Sequence, residues 1–288
     1  MPHTARKRRT PQKRLQVTAD DGWTHVTSGN NVRRLLRNAN HAPTPTGSQP
    51  HDNHNHNPVL TPAEAPSRLT LSELQAQYRA HRERWEGSET WWGLAAYLAE
   101  RLGEEEEEEK SSADVTSSSL ASASASSHTP VDSIMCIGLG SPSGFLRDGW
   151  VDRRSVSLYQ LAALASVKDY ITQKNPSIPI YAQDPVFNTL DHALLESLGI
   201  KTLPDPAAFD IVTPKTLLFC PGAERQHLER LLPAQPALVF GGPLEQSDSA
   251  EIEAFVARTE SRALRGFGPL EHAFWKMRVY FWNGPKEM

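Results

Sequence analysis

Hydrophobic and polar positions divide the chain into successive regimes. Over residues 1–66 apolar residues are scattered without a period among Pro, Asn and His. Too little apolar surface gathers there to offset chain entropy, which predicts a disordered tail. From 67 to 103 the spacing turns helical. Leu69, Leu71, Leu74, Tyr78 and Trp85 make one stripe, and Trp91, Trp92, Leu94, Ala95, Leu98 and Leu102 make a second. Gly87 and Ser88 separate the two, with Ser88 placed to cap the second helix. Neither helix can bury its stripe alone, so both are expected to dock on a core formed elsewhere, with the Trp pair serving packing.

The period then vanishes. Glu104 to Glu109 is an unbroken glutamate run, followed by SSADVTSSSLASASASSH. Like-charge repulsion and small polar residues predict an extended, solvated linker over 104–130.

From 131 to 282 short apolar runs alternate with helical patterns. Ser133 to Gly138 is apolar through its centre, as a strand covered on both faces should be. A helix is expected from about Ser155 to Lys174, with Ser157 and Gln160 at capping-box spacing marking its start. A strand over Pro179 to Gln183 follows. Next comes a helix from Asn188 to Leu198, with Asn188 and Asp191 at capping spacing and Gly199 at its C-terminal end. Further strands are expected at Ile200 to Leu203, Thr216 to Cys220 and Ala237 to Phe240, with helices over Glu224 to Leu232 and Glu251 to Arg258. The block from Ala273 to Trp282 reads as an edge strand, and 283–288 as a C-terminal tail. Parallel neighbours need crossover helices, so this alternation predicts the α/β class. The expected core is a Rossmann-like, mostly parallel sheet flanked by helices, with right-handed crossovers.

Composition refines this picture. A hydrophobic content of 38% with 22 prolines is low for a wholly globular chain, which fits a core accompanied by uncompacted segments. A formal net charge of −4 argues against a whole-chain nucleic-acid binder. The basic residues nevertheless cluster in ARKRRTPQKR, Ala5 to Arg14. That run reads either as a nuclear import signal or a weak polyanion contact, or else as a solvated basic tail. Cys136 and Cys220 fall inside predicted strands and read as small core hydrophobes in a reducing compartment, not as a disulfide. With no bilayer-length apolar run and no signal-peptide pattern, the expectation is a soluble intracellular protein that does not engage membranes.

Candidate chemistry gathers at the predicted strand ends. Gly138 and Gly140 let the chain turn sharply after the first core strand and let amide groups face a ligand. Asp184 ends the next strand, where an acid can accept from a ribose, or else cap the turn beside Pro185. A dinucleotide fingerprint would need glycine where the chain has Ser143, with a helix opening at once; here the helix is delayed. The candidate ligand set is therefore Gly138, Gly140, Ser141, Gln160 and Asp184, with no metal-binding or catalytic residue assigned and no particular cofactor specified. Ser141 and Ser143 lack a GxSxG elbow and read as turn residues. His192, His227 and His272 stand singly, and Asp148, Asp152, Arg153 and Arg154 make a polar loop. His51, His54 and His56 read as low complexity. No CxxC pair, HExxH or Walker lysine motif occurs.

Several of these stretches resemble the sensitivity-to-red-light-reduced family, whose module is the SRR-like domain. The resemblance lies in CIGLGS (Cys136 to Ser141), the SxxQLAxL helix (Ser157 to Leu164), DPVF (Asp184 to Phe187), the LESLG helix end and the TLLFCP strand (Thr216 to Pro221). It covers about Val131 to Gly242, and DGWTHV (Asp21 to Val26) with the Trp-containing helices is similar to the N-terminal parts of fungal members. Many members continue the late strand as Pro-His-Cys, where this chain has Pro221, Gly222 and Ala223. The resemblance implies a regulatory protein of circadian timing, light signalling or haem-biosynthesis control, distributed between cytoplasm and nucleus. It would act on a small ligand or a protein partner. The alternative is an enzyme using a nucleoside cofactor, such as a methyl donor, at the glycine turn.

Overall fold

The computed structural model describes residues 61–103, 131–145, 153–173 and 176–283, together with the backbone of two short strands at 14–18 and 24–28. Those two strands, β1 (Arg14–Thr18) and β2 (Thr24–Ser28), pair antiparallel from Arg14 against Ser28 to Thr18 against Thr24. They lie in a unit of their own, 1–57, within the stretch read as tail. The glutamate run, the His-rich stretch, Asp148 and Asp152 lie outside the described residues.

The second unit begins with two helices, α1 (Leu71–Glu86) and α2 (Glu89–Leu102). Thr70 caps α1 through a reciprocal box with Glu73, and the Ser88 hydroxyl accepts from the Trp91 amide at the start of α2, as expected. The strands and helices that follow are β3 (Ser133–Ile137), α3 (Arg153–Thr172), β4 (Ile180–Gln183), α4 (Thr189–Ser197), β5 (Lys201–Thr202) and β6 (Thr216–Cys220). The chain then continues through α5 (Arg225–Leu231), β7 (Leu238–Gly241), α6 (Ala250–Val256), β8 (Thr259–Ala263) and β9 (Arg278–Trp282). One seven-stranded sheet results, in the order β5-β4-β3-β6-β7-β9-β8. Its first five strands are parallel, and β9 and β8 are added antiparallel. The expected α/β, mostly parallel architecture is the one observed.

Alternation along each central strand supplies two cores. Ile134 and Cys136 of β3 face the layer holding α1, α2 and α3, while Met135 and Ile137 face the layer holding α5 and α6. The first core is aromatic: Trp85 of α1 is fully buried against Trp91, Phe267 and Phe274. Both N-terminal helices therefore dock on the α/β core, as their stripes require. Residues ahead of 67 join them, because Ala63 is buried, its amide donates to the Val186 carbonyl at 2.8 Å, and Glu64 bridges to Phe145.

Four local expectations are corrected. The helix after β3 starts at Arg153, so Ser157 and Gln160 are not its cap. The Ser157 hydroxyl instead donates to the Arg153 carbonyl one turn back, at 3.0 Å. Every residue from Ser157 to Val167 is buried. The helix is enclosed, with the sheet on one side and α1, α2 and the Glu271–Phe274 turn on the others, and this hides its stripe. Second, β9 is not an edge strand: it lies between β7 and β8, and β8 forms the edge. Third, β8, TESRA, carries no apolar run to announce it, because its face toward α2 is charged: Arg101 pairs with Glu260 at 2.8 Å, and Arg262 with Glu100 at 3.1 Å. Fourth, Trp92 is 60% exposed, its indole donating to the Glu86 carbonyl at 3.0 Å, so only Trp91 of the pair packs inward.

Candidate functional site

Strand order reverses between β3 and β6: the chain moves from β3 outward to β4 and β5, then returns to β6 on the other side. The carboxyl ends of strands at such a reversal are where open α/β sheets leave a crevice. Gly138 leaves β3 there with φ of +74°, and a Cβ on it would lie 2.5 Å from the Gly222 carbonyl carbon after β6. Glycine is required at this point both for the left-handed backbone and for the approach of the two turns. The same contact bears on the departure from Pro-His-Cys. A Cβ at 222 would stand 2.5 Å from the Gly138 oxygen, so this turn has no room for a histidine without shifting.

Gly140, with φ of +71°, turns its amide back onto Asp184 at the end of β4 and donates to Oδ2 at 2.7 Å. The other carboxylate oxygen accepts the Val186 amide at 3.1 Å. Gly138, Gly140 and Asp184 are thus brought together, with the Asp184 carboxylate serving as the clamp between two strand ends. Burial pushes the Asp184 carboxyl above the ordinary carboxylate range; the two amide donors oppose the shift, as does His227, while the Asp191 charge adds to it. His227, on the first turn of α5, accepts the Glu224 amide on Nδ1 at 3.3 Å.

Ser141 lies in a second network directly behind. Its hydroxyl donates to Asp191 Oδ2 at 2.6 Å and accepts the Gly144 amide at 2.8 Å. Asp191 is fully buried and also accepts the Ser143 amide at 2.8 Å and the Asn188 amide at 3.0 Å. Asn188 caps α4 through Asp191 as the spacing predicted, and its side-chain amide also donates to the Ser143 hydroxyl at 2.9 Å and the Ala63 carbonyl at 3.0 Å. The loop after β3 is therefore held by the start of α4, and Ser143, standing where a dinucleotide fingerprint has glycine, is sealed inside it. Gln160 belongs elsewhere: its amide donates to the Ala273 carbonyl at 2.8 Å. It ties α3 to the C-terminal turn and makes no bond to the glycine loop.

Asp191, Asn188, Gly222 and His227 were missing from the sequence-derived set. Asn188 and Asp191 carried a signal, the capping box, but their second set of partners lies more than forty residues earlier in the chain. Gly222 and His227 acquire their place only when β6 is laid beside β3. The two thiols lie beneath this region. Both are free and buried; burial raises Cys136 well above the ordinary thiol value and pushes Cys220 up to about 12. Among the described residues no group of three or more His, Cys, Asp or Glu side chains is arranged to hold a metal ion. Among the same residues no helix is long and apolar enough to cross a membrane.

These features define a Rossmann-like α/β protein whose glycine turn and strand-end acid meet at the reversal of strand order. A family model described as the SRR1 domain matches residues 99–281, and the chain belongs to that family. The match reaches beyond the stretch of resemblance at both ends, taking in the end of α2 and the antiparallel strands β8 and β9. No curated protein and no solved structure matches the chain.

Proposed function

We propose that this chain is a regulatory member of the SRR1 family that works by binding, at the carboxyl ends of β3, β4 and β6, a small ligand or a partner segment. The observation that carries the reading is the Asp184 clamp. A half-buried carboxylate with a raised pKa sits at the reversal of strand order, beside two positive-φ glycines and near His227. Binding is favoured over chemistry because the hydroxyl-bearing side chains of this corner, Ser141 and Ser143, are held by Asp191 and Asn188. The two thiols are likewise buried and kept protonated. The pathway is circadian timing, light signalling or haem-biosynthesis control, as the family resemblance implies, with a presence in both cytoplasm and nucleus.

Thermal unfolding against a panel of nucleotides, a methyl donor and haem tests the ligand arm. A compound at a hundred times its dissociation constant should stabilise the protein by about 2.7 kcal/mol, and Asp184→Asn should remove that shift. Recovery of the compound chemically unchanged supports a binding role, and its turnover would instead support the enzyme reading. No shift with any of them would sink the small-ligand form of the proposal. For localisation, removing Met1 to Arg14 should lower nuclear accumulation of a fluorescent fusion; an unchanged distribution would discard that run as an import signal.

A further inference from the structure

Away from the strand ends, a cleft of about 360 Å³ opens between α2 and the edge strand β8. Its floor is apolar, from Leu94, Tyr97, Leu264 and Val279. Its wall is cationic, from Arg262 and Arg265. The volume falls at the lower end of the range that takes small organic molecules.

Three features distinguish this cleft from an ordinary charged groove. Arg265 has no hydrogen-bond or ion-pair partner among the described residues. It crosses α2 at Gly93, where a Cβ would stand 3.3 Å from its Nε, so glycine lets the side chain lie close against the helix. Glycine in a helix interior costs about 1 kcal/mol relative to alanine, and here it leaves space for the guanidinium. Arg262 lies 3.8 Å over the Tyr97 ring and has a single, exposed carboxylate partner, Glu100. Tyr97 is 2% exposed and contributes its ring to the cleft, its hydroxyl being sealed from solvent.

We infer that the α2–β8 cleft binds a small organic anion, a carboxylate carried on an apolar body. The carboxylate is met by Arg265 and Arg262, and the apolar body lies on Leu94, Leu264 and Val279. Guanidinium pairs with carboxylate in a planar, two-point fashion, which suits one anionic head better than a diffuse negative surface. This site is separate from the Asp184 corner, so either can fail without the other.

The test uses the full chain and two probes of the same shape, naphthoate and the uncharged naphthamide, titrated calorimetrically. Naphthoate should bind with one site per chain and naphthamide about tenfold more weakly or less, the difference expected for a charge-assisted pair. Arg265→Gln should bring naphthoate down to the level of naphthamide, while Asp184→Asn should leave it unchanged. Gly93→Leu, which fills the crossing point, should abolish binding; because that variant may unfold, Arg265→Gln, an exposed change, carries the test on its own. The inference is overturned if naphthoate and naphthamide bind alike, if Arg265→Gln binds naphthoate as well as the native chain does, or if neither probe binds. Capture of a glutamate peptide in preference to naphthoate would also overturn it, and would assign the cleft to an acidic protein partner.

Discussion

The corner at the ends of β3 and β4 and the cleft between α2 and β8 are both polar places on one sheet, built in opposite ways. In the corner, Ser141, Asn188 and Asp191 are bonded to one another and to nearby backbone amides, and Asp184 accepts two further amides. In the cleft, the exposed Arg265 guanidinium has no partner among the described residues. A satisfied buried network fixes the shape of a loop and resists rearrangement, whereas an exposed guanidinium beside an apolar floor can exchange its water for a ligand. The corner is therefore suited to recognise a ligand by a fixed outline, and the cleft by a guanidinium free to move onto it. The corner presents a rigid outline with one acid at its rim, and the cleft presents free donors.

That contrast is open to measurement through stability. The largest effect is expected at Asp191, because Asp191→Ala leaves the Ser141 hydroxyl and the Ser143 and Asn188 amides without their acceptor. The loss should be about 4 kcal/mol in a denaturant titration, with Asp191→Asn recovering part of it. A loss under about 1 kcal/mol would mean that the corner is hydrated and that the contrast with the cleft is false. Next comes Gly138→Ala, which places a Cβ 2.5 Å from Gly222 at a positive φ. It should cost roughly 3 kcal/mol, and a neutral result would show that the two turns separate easily. At the small end, Arg265→Gln in the cleft should change stability by less than about 0.5 kcal/mol while changing probe binding. A large loss there would show that the guanidinium is a structural group.

Much of the architecture was legible in the sequence because it rests on short-range patterns. Apolar runs gave β3, β4, β6 and β7, and the spacing of Asn188 with Asp191 and the position of Ser88 gave two helix starts. Legibility failed where the environment is two-sided or charged. The start of α3 was misplaced because that helix is enclosed on nearly every side, so its Ser157 and Gln160 mimic a cap. β8 was missed because its inward face pairs charges with α2 instead of burying apolar groups. At the corner, sequence reasoning found Gly138, Gly140 and Asp184 because strand ends can be located from local pattern. It gave Gln160 to the wrong neighbourhood and overlooked Gly222 and His227, whose positions depend on β6 crossing to the far side of β3.

The docking of α1 and α2 bears on how the protein can be divided. The family match starts at residue 99, inside α2. Trp85, Leu74 and Tyr78, all ahead of that point, are buried in the same cluster as α3 and the sheet. The stretch that evolution marks as one domain and the stretch that can close its own core are therefore different lengths. A fragment cut at the family boundary would carry α3 with one flank stripped, an open aromatic face prone to associate with its own copies. The buried core draws on the chain from about Ala63 onward, so the family match covers less than the physical extent of that core by at least the whole of α1.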